Sequence, residues 1–283
     1  MSNWIDAHLH LTDPRVEAAL ASLVSEAAGA GVARFVLGGI EPAEWERQKR
    51  LAERFPNAFT LVFGLHPWWI ASHADEGAAR AALARLAGEL GRVPRALSAI
   101  GETGLDFHPR FGVDTHALQE TCFREQLRLA MAHGLPVVLH IVRAHERALE
   151  ILTEERRHAS EKSTPFVYRG IVHSFSESPA IGQAYLDLGF TLSISAPVIT
   201  RGKGAAFEKL RQSVVTLPPT AFVFETDSPD QPPTGEPGLN RPANLVTVAE
   251  AVARIRAERF PGTTAAALLD QAAETIRRIF SIR

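Results

Sequence analysis

The chain has 283 residues, of which 46% are hydrophobic and 22% are charged, and its formal net charge is -2. These figures exclude a wholly disordered chain and argue against a broadly basic surface that coats nucleic acid, and no apolar run reaches the roughly 18 residues of a membrane-spanning helix. The lack of a visible signal peptide and the single cysteine, Cys122, which fits a reducing compartment, predict a cytoplasmic location without membrane association.

Short apolar runs alternate with longer helical patterns in the first part of the chain. Asp13 and Pro14 are typical of a helix N-cap and first turn, and Gly29 and Gly31 are typical of its end. In chain order we predict a strand at 4–10, this helix, a strand at 34–37, a helix at 42–55, a strand at 60–63, a helix at 78–90 and a strand at 99–101.

The alternation continues to the end of the chain. A long helix follows a cap at Asp114 or Thr115 and ends at Gly134. After it we predict a strand at 136–139, a helix at 146–157, a strand at 166–172, a helix at 179–188, a strand at 190–195, a helix at 205–214, a strand at 222–224 and helices at 243–258 and 264–280.

The order of these elements predicts the fold. Strands that alternate with helices form a parallel sheet, because parallel strands need crossover connections. Eight such units in 283 residues predict a closed (β/α)8 TIM barrel of the α/β class, filling residues 1–283 as one domain. An open doubly wound sheet is the alternative, and the absence of GxGxxG after the first strand weakens it. The longest irregular segment, 228–242, is expected to be a loop at the mouth.

Polar side chains stand where the predicted strands end, which is where a barrel places its chemistry. They are His8, His10, His66, Glu102, His140, His173 and Asp227. Residues two apart on a strand point to the same side, so His8 and His10 can share one cation. One such histidine alone would usually be a hydrogen-bonded core residue, but imidazoles together with carboxylates are the ligand set of zinc, manganese, iron or cobalt.

Six of these groups, with His66 left aside, exceed the needs of one tetrahedral ion and indicate two metals that share a ligand. The shared ligand is not expected to be a modified lysine. No lysine lies between Lys49 and Lys162, so the third to fifth strands cannot supply one, and a carboxylate is the natural bridge. The remaining histidines, including His73, His108 and His145, are expected to be solvated or capping residues.

An ordered set of motifs resembles the TatD-type metal-dependent hydrolases. The motifs are DAHLHLTD, FGLHP, AIGETGLDF, LQETCFREQLRLAMAHGLPVVLH, VHSFS, FETDSP and GLNRPANL, in family order over nearly the whole chain. The resemblance implies an amidohydrolase-like barrel with two divalent metals, and many members are deoxyribonucleases that act from 3′ ends. It also implies the ligands: His8, His10, Glu102 and Asp227 for one metal, and Glu102, His140 and His173 for the other.

The resemblance supports a mechanistic hypothesis. A hydroxide held between two divalent metals (Zn, Mn, Mg, Fe or Co) would attack a phosphodiester, with Glu102 as the bridge and Asp227 orienting the water and moving its proton. Asp6 and Glu225 stand two residues before a ligand, as acceptors for ligand N–H groups or as part of a buried polar layer with arginine. Asp106 is a further candidate to support a ligand or to cap a loop.

The expected partner is DNA, single-stranded or at a 3′ end, and no obligate protein partner is indicated. Candidate substrate contacts are His66, Arg143 and Arg241, with Arg201 on a further loop. Trp68 and Trp69 could stack on a base or pack against the helices. The residues after His140, after His173 and around Arg241 depart from the family pattern, which bears on substrate preference. Alternatives are an amidohydrolase-type enzyme acting on an ester or amide, and a catalytically silent binding barrel.

Overall fold

Eight parallel strands pair in sequence order, from β1 to β8. The structure, a computed structural model, describes residues 2–282 except 73–74, 94–97, 163–165, 201, 203 and 236–237. The strands are β1 Trp4–Leu9, β2 Val32–Leu37, β3 Phe59–Phe63, β4 Ser98–Asp106, β5 Val137–Val142, β6 Gly170–Val172, β7 Phe190–Ile194 and β8 Phe222–Phe224. Past the end of β8 the amide of Asp227 donates to the His8 carbonyl at 3.0 Å, and the His10 amide donates to Ser228 at 2.6 Å. These bonds join the last strand to the first, so the predicted (β/α)8 barrel is confirmed.

Helices surround the strands. They are α1 Leu20–Gly29, α2 Pro42–Arg54, α3 Pro67–Ser72, α4 Glu76–Leu90, α5 His116–His133, α6 His145–Lys162, α7 Pro179–Leu188, α8 Pro197–Thr200, α9 Ala205–Thr216, α10 Leu245–Ala257 and α11 Ala265–Phe280. Every residue of β3, β6, β7 and β8 is buried. Burial on both faces explains why these strands read as continuous apolar runs. No helix in the described part of the chain is long and apolar enough to cross a membrane.

The prediction for β4 was wrong in its length, since the strand runs to Asp106 and not to Gly101. Thr103 to Asp106 pair with β5 after a shift in register that follows Ile100. Glu102 therefore lies within the strand and not at its end. The two glycines of this segment, Gly101 and Gly104, carry no side chain and so hide the alternation that would have shown the strand.

Two neighbouring strands also differ from their predicted bounds. β5 continues through His140 to Val142, so the imidazole of His140 projects from the strand itself. β6 begins only at Gly170, whereas residues 166–169 form no strand. The Tyr168 ring is nevertheless buried, and its hydroxyl donates to the Leu152 carbonyl at 3.1 Å. An apolar run that packs against a helix reads like a strand in the sequence.

The first helical segment is also divided. Pro14–Ala19 forms a 3-10 helix, capped by the Asp13 side chain, which accepts from the Arg15 amide. Only then does α1 begin. The short helices α3 and α8 were not predicted, because each has too few residues to show a helical period.

Candidate metal centre

Five of the six predicted ligands line one cavity of about 620 Å³ at the carboxyl ends of the strands, and the sixth, His8, is buried beside them. His8, Glu102 and His140 lie within β1, β4 and β5, and the other three residues follow the carboxyl ends of β1, β6 and β8. His8 is fully buried, and Glu102, His140, His173 and Asp227 are each less than 9% exposed. These five side chains are therefore buried at the carboxyl end of the barrel, which favours a fixed geometry.

The first group of ligands lies on one side of Glu102. Its Oε1 atom is 3.5 Å from Nε2 of His8 and 3.4 Å from Nε2 of His10. Asp227 completes the group, since its Oδ1 atom is 3.4 Å from Nε2 of His10 and 3.7 Å from Nε2 of His8. Two imidazole nitrogens and two carboxylate oxygens thus converge on one point.

The second group lies on the other side of the same carboxylate. The Oε2 atom of Glu102 is 3.1 Å from Nε2 of His173 and 3.5 Å from Nδ1 of His140. These two ring nitrogens are 3.0 Å apart. Glu102 therefore directs one oxygen to each group, which is the arrangement of a carboxylate shared between two sites.

The donors of this centre fit divalent metal ions. Nε2 of His8 and Oε1 of Glu102 are buried and have no hydrogen-bond partner. A buried polar atom without a partner costs about 1–3 kcal/mol, so such atoms indicate a missing ligand. The donor atoms of His8, His10 and Asp227 lie within 4.8 Å of one another, as do those of His8, Glu102 and His173. Imidazole and carboxylate are ligands of borderline and hard divalent ions.

The electrostatics of the centre follow from burial and close opposite charges. Burial alone would raise the pKa of Glu102, but the imidazoles of His8 and His173 hold it well below its usual value. Burial would lower the pKa of His10, and the carboxylates of Glu102 and Asp227 raise it to about 10 instead. The pKa of His173 rises to about 9 against its burial, through Glu102 and Glu225. Without metal, His10 and His173 therefore carry protons, and these protons supply positive charge that a bound cation would otherwise supply.

Two acidic residues beneath the ligands make different contacts. Glu225 places Oε1 at 3.4 Å from Nδ1 of His173 and accepts from the Ser174 amide at 2.6 Å. Asp6 does not reach a ligand ring. It accepts from the His8 amide at 3.3 Å and from the amide and hydroxyl of Thr226 at 3.0 and 2.5 Å. Burial raises the pKa of Asp6 to about 8. Neither carboxylate pairs with an arginine of the described residues.

Asp106 stands at the end of β4 between a ligand and the mouth. Its Oδ2 atom is 3.6 Å from Nε2 of His140, and it accepts from the indole N–H of Trp68. Its Oδ1 atom accepts from the His108 amide at 2.9 Å. Burial would raise the pKa of Asp106, and these contacts lower it to about 2. One carboxylate therefore lies close to an imidazole of the centre and holds an aromatic ring at its edge.

His66 lies inside the centre and not at its rim, since it is 2% exposed. Its Nδ1 atom accepts from the Trp68 amide at 2.9 Å, and its Nε2 atom is 3.6 Å from Oε2 of Glu102. Burial and the nearby His140 hold the pKa of His66 well below its usual value, so the ring is neutral. Its one proton is therefore on Nε2, which makes this nitrogen a hydrogen-bond donor towards Glu102 in the metal-free centre.

Gln231 contacts the centre although no motif indicated it. Its side-chain amide donates to Oδ2 of Asp227 and, at 3.2 Å, to the hydroxyl of Ser174. Its carbonyl oxygen accepts from Ser195 at 3.1 Å. Asp227 thus turns Oδ1 to the imidazoles while Gln231 holds Oδ2. Gln231 follows Asp227 by four residues in an irregular segment, where no periodicity marks a side chain as inward.

The predicted substrate contacts are not all brought together. Arg143 lines the cavity and is exposed. Arg241 is placed elsewhere: its guanidinium pairs with Glu26 of α1 at 3.2 Å, and it is not among the described residues that line the cavity. The segment after β8 curves back there because Asn240 donates to the Thr226 carbonyl at 2.6 Å. Arg201 and His73 lie outside the described residues.

The two adjacent tryptophans differ. Trp68 lines the cavity and is 39% exposed, whereas Trp69 is partly buried and packs against the hydrophobic core. The guanidinium of Arg110 lies 4.5 Å above the Trp68 ring. Arg110 and the hydrogen bond to Asp106 hold this ring at the mouth, so it is a fixed aromatic surface beside the second group of ligands.

Comparison with known proteins supports these observations. The family model described as TatD related DNase matches residues 5–281. An Escherichia coli K12 protein named as an uncharacterized metal-dependent hydrolase, YjjV, is 31% identical over 257 residues, which are 90% of this chain and 91% of that protein. A protein of Pantoea ananatis named as the 3′-5′ ssDNA/RNA exonuclease TatD is 30% identical over 260 residues, 89% of this chain and 92% of that protein.

Solved structures agree at the level of the fold. The crystal structure of the Escherichia coli YjjV protein, described as a TatD homologue, superimposes with a TM-score of 0.82 at 26% identity. The match covers 99% of this chain and 98% of that one. An amidohydrolase of Saccharomyces cerevisiae, at 18% identity and a TM-score of 0.77, shares the fold.

Proposed function

This chain belongs to the TatD-related DNase family, and on that premise we propose that it is a metal-dependent hydrolase that cleaves phosphodiester bonds in DNA. We propose further that it acts as a 3′ to 5′ exonuclease on single strands or 3′ ends. One observation carries the proposal: the buried carboxylate of Glu102 directs an oxygen to each of two ligand groups. The name of the Pantoea relative supports the choice of substrate.

The centre would hold two divalent ions, with Zn, Mn, Mg, Fe and Co as the candidates. His8, His10, Glu102 and Asp227 would hold one, and Glu102, His140 and His173 the other. When bound, such ions lower the pKa of a water molecule towards about 7 and offset negative charge on phosphoryl oxygens. The His–carboxylate donor set suits this range of metals and does not select one of them.

The residues around the ligands have separate roles in this proposal. Asp227 orients the attacking water and takes up its proton, and Gln231 fixes that carboxylate by holding its second oxygen. Glu225 orients His173 through the ring nitrogen that faces away from Glu102, and Asp106 does the same for His140. Asp6 acts through the backbone, because its side chain accepts hydrogen bonds from the amides of both His8 and Thr226.

Substrate contacts are assigned by exposure and donor capacity. His66 would donate its Nε2–H to a phosphate oxygen inside the cavity, since that proton points to the ligand groups. Arg143, exposed on the same cavity, would pair with a neighbouring phosphate. Trp68 would stack on an unpaired base, which favours a single strand. The contact that places Arg241 against Glu26 gives it no part in this arrangement.

The organisation and location of the protein are part of the proposal. One continuous core of buried residues supports a single domain over residues 1–283. The lone cysteine, buried within that core, suits the cytoplasm. Fractionation of cells that express the tagged protein at its natural level would test the location, and recovery outside the cytoplasm would contradict it.

The decisive experiment measures metal content and nuclease rate in His140→Ala and Asp227→Asn. We expect each to lose about one bound ion or to lower kcat on a single-stranded oligodeoxynucleotide by at least about 100-fold, because each removes a ligand of the centre. His158→Ala, on the exposed face of α6, is the matched control. Near wild-type phosphodiesterase activity in both variants would refute the assignment, and activity on an ester or amide panel alone would favour the amidohydrolase alternative.

A further inference from the structure

A second cavity, of about 250 Å³, lies between residues 11–20 and helix α2. Three arginines of α2 line it, Arg47, Arg50 and Arg54, together with Asp13 and Glu17. Its floor is apolar, from Leu11, Leu20 and Leu51. We name it the arginine groove. Positions three, four and seven apart share one face of a helix, so the three guanidinium groups form a row.

The positive charge of the arginine groove is only partly offset by acidic side chains within the described structure. Arg50 and Arg54 are exposed and have no carboxylate within 4 Å among the described residues. Arg47 reaches only Glu41, at 3.8 Å, and its buried Nε atom has no hydrogen-bond partner. Asp13, one of the two acids of the groove, is already bonded to Arg15 at 2.7 Å. A row of guanidinium groups, in which the Nε–H of Arg47 has no hydrogen-bond acceptor, is suited to binding an anion.

The arginine groove adjoins the metal cavity. Asp13 lines both spaces, and the guanidinium of Arg15 links Asp13 to Asp230, which also lines the metal cavity. Helix α2 begins after the carboxyl end of β2, at the mouth, and runs away from it along the outside of the barrel. A ligand that extends out of the mouth beside Asp13 would therefore meet Arg47 first and Arg54 last.

We infer that the arginine groove binds the phosphodiester backbone of the substrate strand, several nucleotides away from the bond that is cut. The inference rests on the proposed function. Seven residues of helix rise about 10 Å, which is about three intervals between successive phosphates at about 3.4 Å along one stacked strand. The groove offers guanidinium groups over an apolar floor, which match a repeated phosphate and carry no pattern for reading bases. It also explains how a chain with a net charge of -2 holds a polyanion.

The test compares a 12-nucleotide single strand with a dinucleotide, which is too short to leave the metal cavity. In Arg50→Ala/Arg54→Ala we expect the ratio of kcat/KM for the long substrate to that for the short one to fall about 25-fold at 0.1 M salt. That value corresponds to two lost phosphate contacts, each with a salt slope of about 0.7. The slope of log kcat/KM against log salt should fall by about 1.4 for the long substrate.

Two further variants make the result specific. Arg50→Lys/Arg54→Lys keeps both charges and should restore most of the ratio. Arg254→Ala/Arg278→Ala removes two exposed charges from α10 and α11 and should leave the ratio as in the wild type. Inorganic phosphate at millimolar concentration tests whether the arginine groove is instead a site for a small anion. If phosphate inhibits cleavage of both substrates equally, and Arg50→Ala/Arg54→Ala removes that inhibition, the result would contradict binding of the substrate backbone in the groove.

A length ratio that does not change in the double alanine variant would overturn the inference while leaving the proposed function intact. Should the wild-type protein cleave neither substrate, the proposed function fails. In that case, binding of a fluorescent 12-nucleotide strand tests the inference without cleavage. Weaker binding by the double alanine variant than by the wild type would support binding in the arginine groove, and equal affinities would refute it.

Discussion

Two residues of the centre, His66 and Asp227, show how one hydrogen bond determines which polar atom of a side chain faces the centre. The amide of Trp68 occupies Nδ1 of His66 and so leaves its proton on Nε2, facing the ligand groups. Gln231 occupies Oδ2 of Asp227 and so leaves Oδ1 for the imidazoles. In both cases a hydrogen bond to one polar atom of the side chain leaves the other polar atom facing the centre.

Trp68 gives a prediction at this scale. Trp68→Ala should lower kcat/KM on a single strand about tenfold, since stacking contributes about 1–3 kcal/mol per base. Its metal content should stay at the wild-type level, because the ring is no ligand. The loss should disappear on a strand whose terminal nucleotides are abasic. Phe260→Ala removes an equally exposed ring, at 41%, beyond the end of α10 and is the control. The same loss on abasic and ordinary strands would contradict stacking.

Among the elements, β4 has the most demanding backbone. It carries Glu102 and Asp106, and its register against β5 shifts between Ile100 and Thr103. Gly104 adopts a φ of 145°, and a Cβ atom there would lie 2.1 Å from the carbonyl oxygen of His140. Close approach of the two strands is thus what brings Glu102 and His140 within reach of each other, and only glycine permits it.

Gly104→Ala should therefore weaken both the fold and the centre. Backbone strain and overpacking together cost about 3 kcal/mol, and the strands must separate to relieve the contact. We expect a lower Tm and weaker metal binding, measured by thermal unfolding and by titration with Zn²⁺ or Mn²⁺. Gly88→Ala in α4, where nothing lies within 4 Å of the added Cβ, should not destabilise the protein. A Gly104→Ala protein with wild-type Tm and metal affinity would refute this account.

For the whole molecule, the barrel gathers charge of opposite signs in separate places. Carboxylates and imidazoles occupy the centre, whereas three arginines line the outside of α2, two of them without an acidic partner among the described residues. Only four of the 30 basic residues are lysine, so the available cations are mostly guanidinium groups, which suit phosphate. Since chain segments from β1 to β8 meet at the centre, a bound ion links the barrel from its first strand to its last.

Metal removal should accordingly destabilise the entire fold. A site at 1,000 times its Kd contributes about 4 kcal/mol, so excess chelator should lower Tm by about 10 °C in scanning calorimetry. His10 and His173, with pKa values of about 10 and 9 in the metal-free centre, must release protons when an ion binds. Metal affinity should therefore rise with pH, and the chelator should lower Tm more at pH 8.5 than at pH 6.5. A Tm insensitive to chelator at both pH values would contradict a metal centre.

Much of the fold could be predicted because its signals are local. Apolar runs and helix caps such as Asp13 and Gly134 marked eight repeating units, and β8 and α7 have the predicted bounds. Errors arose where a local signal fails: glycines concealed the second half of β4, and the apolar residues before Gly170, of which Tyr168 is buried, imitated a strand. The roles of the site residues stay predictions, although their positions agree with a shared centre.

The sequence by itself determined the class of fold and predicted a set of candidate metal ligands, because strand periodicity and side-chain chemistry are properties of short segments. Only the tertiary structure decided which oxygen of Glu102 faces which imidazoles, that His66 is a donor, that Gln231 holds Asp227, and that Arg241 turns to Glu26. It alone placed the arginines of α2 beside the mouth. The physical reason is that these facts are distances between atoms on different elements, and the packing of the closed barrel sets such distances.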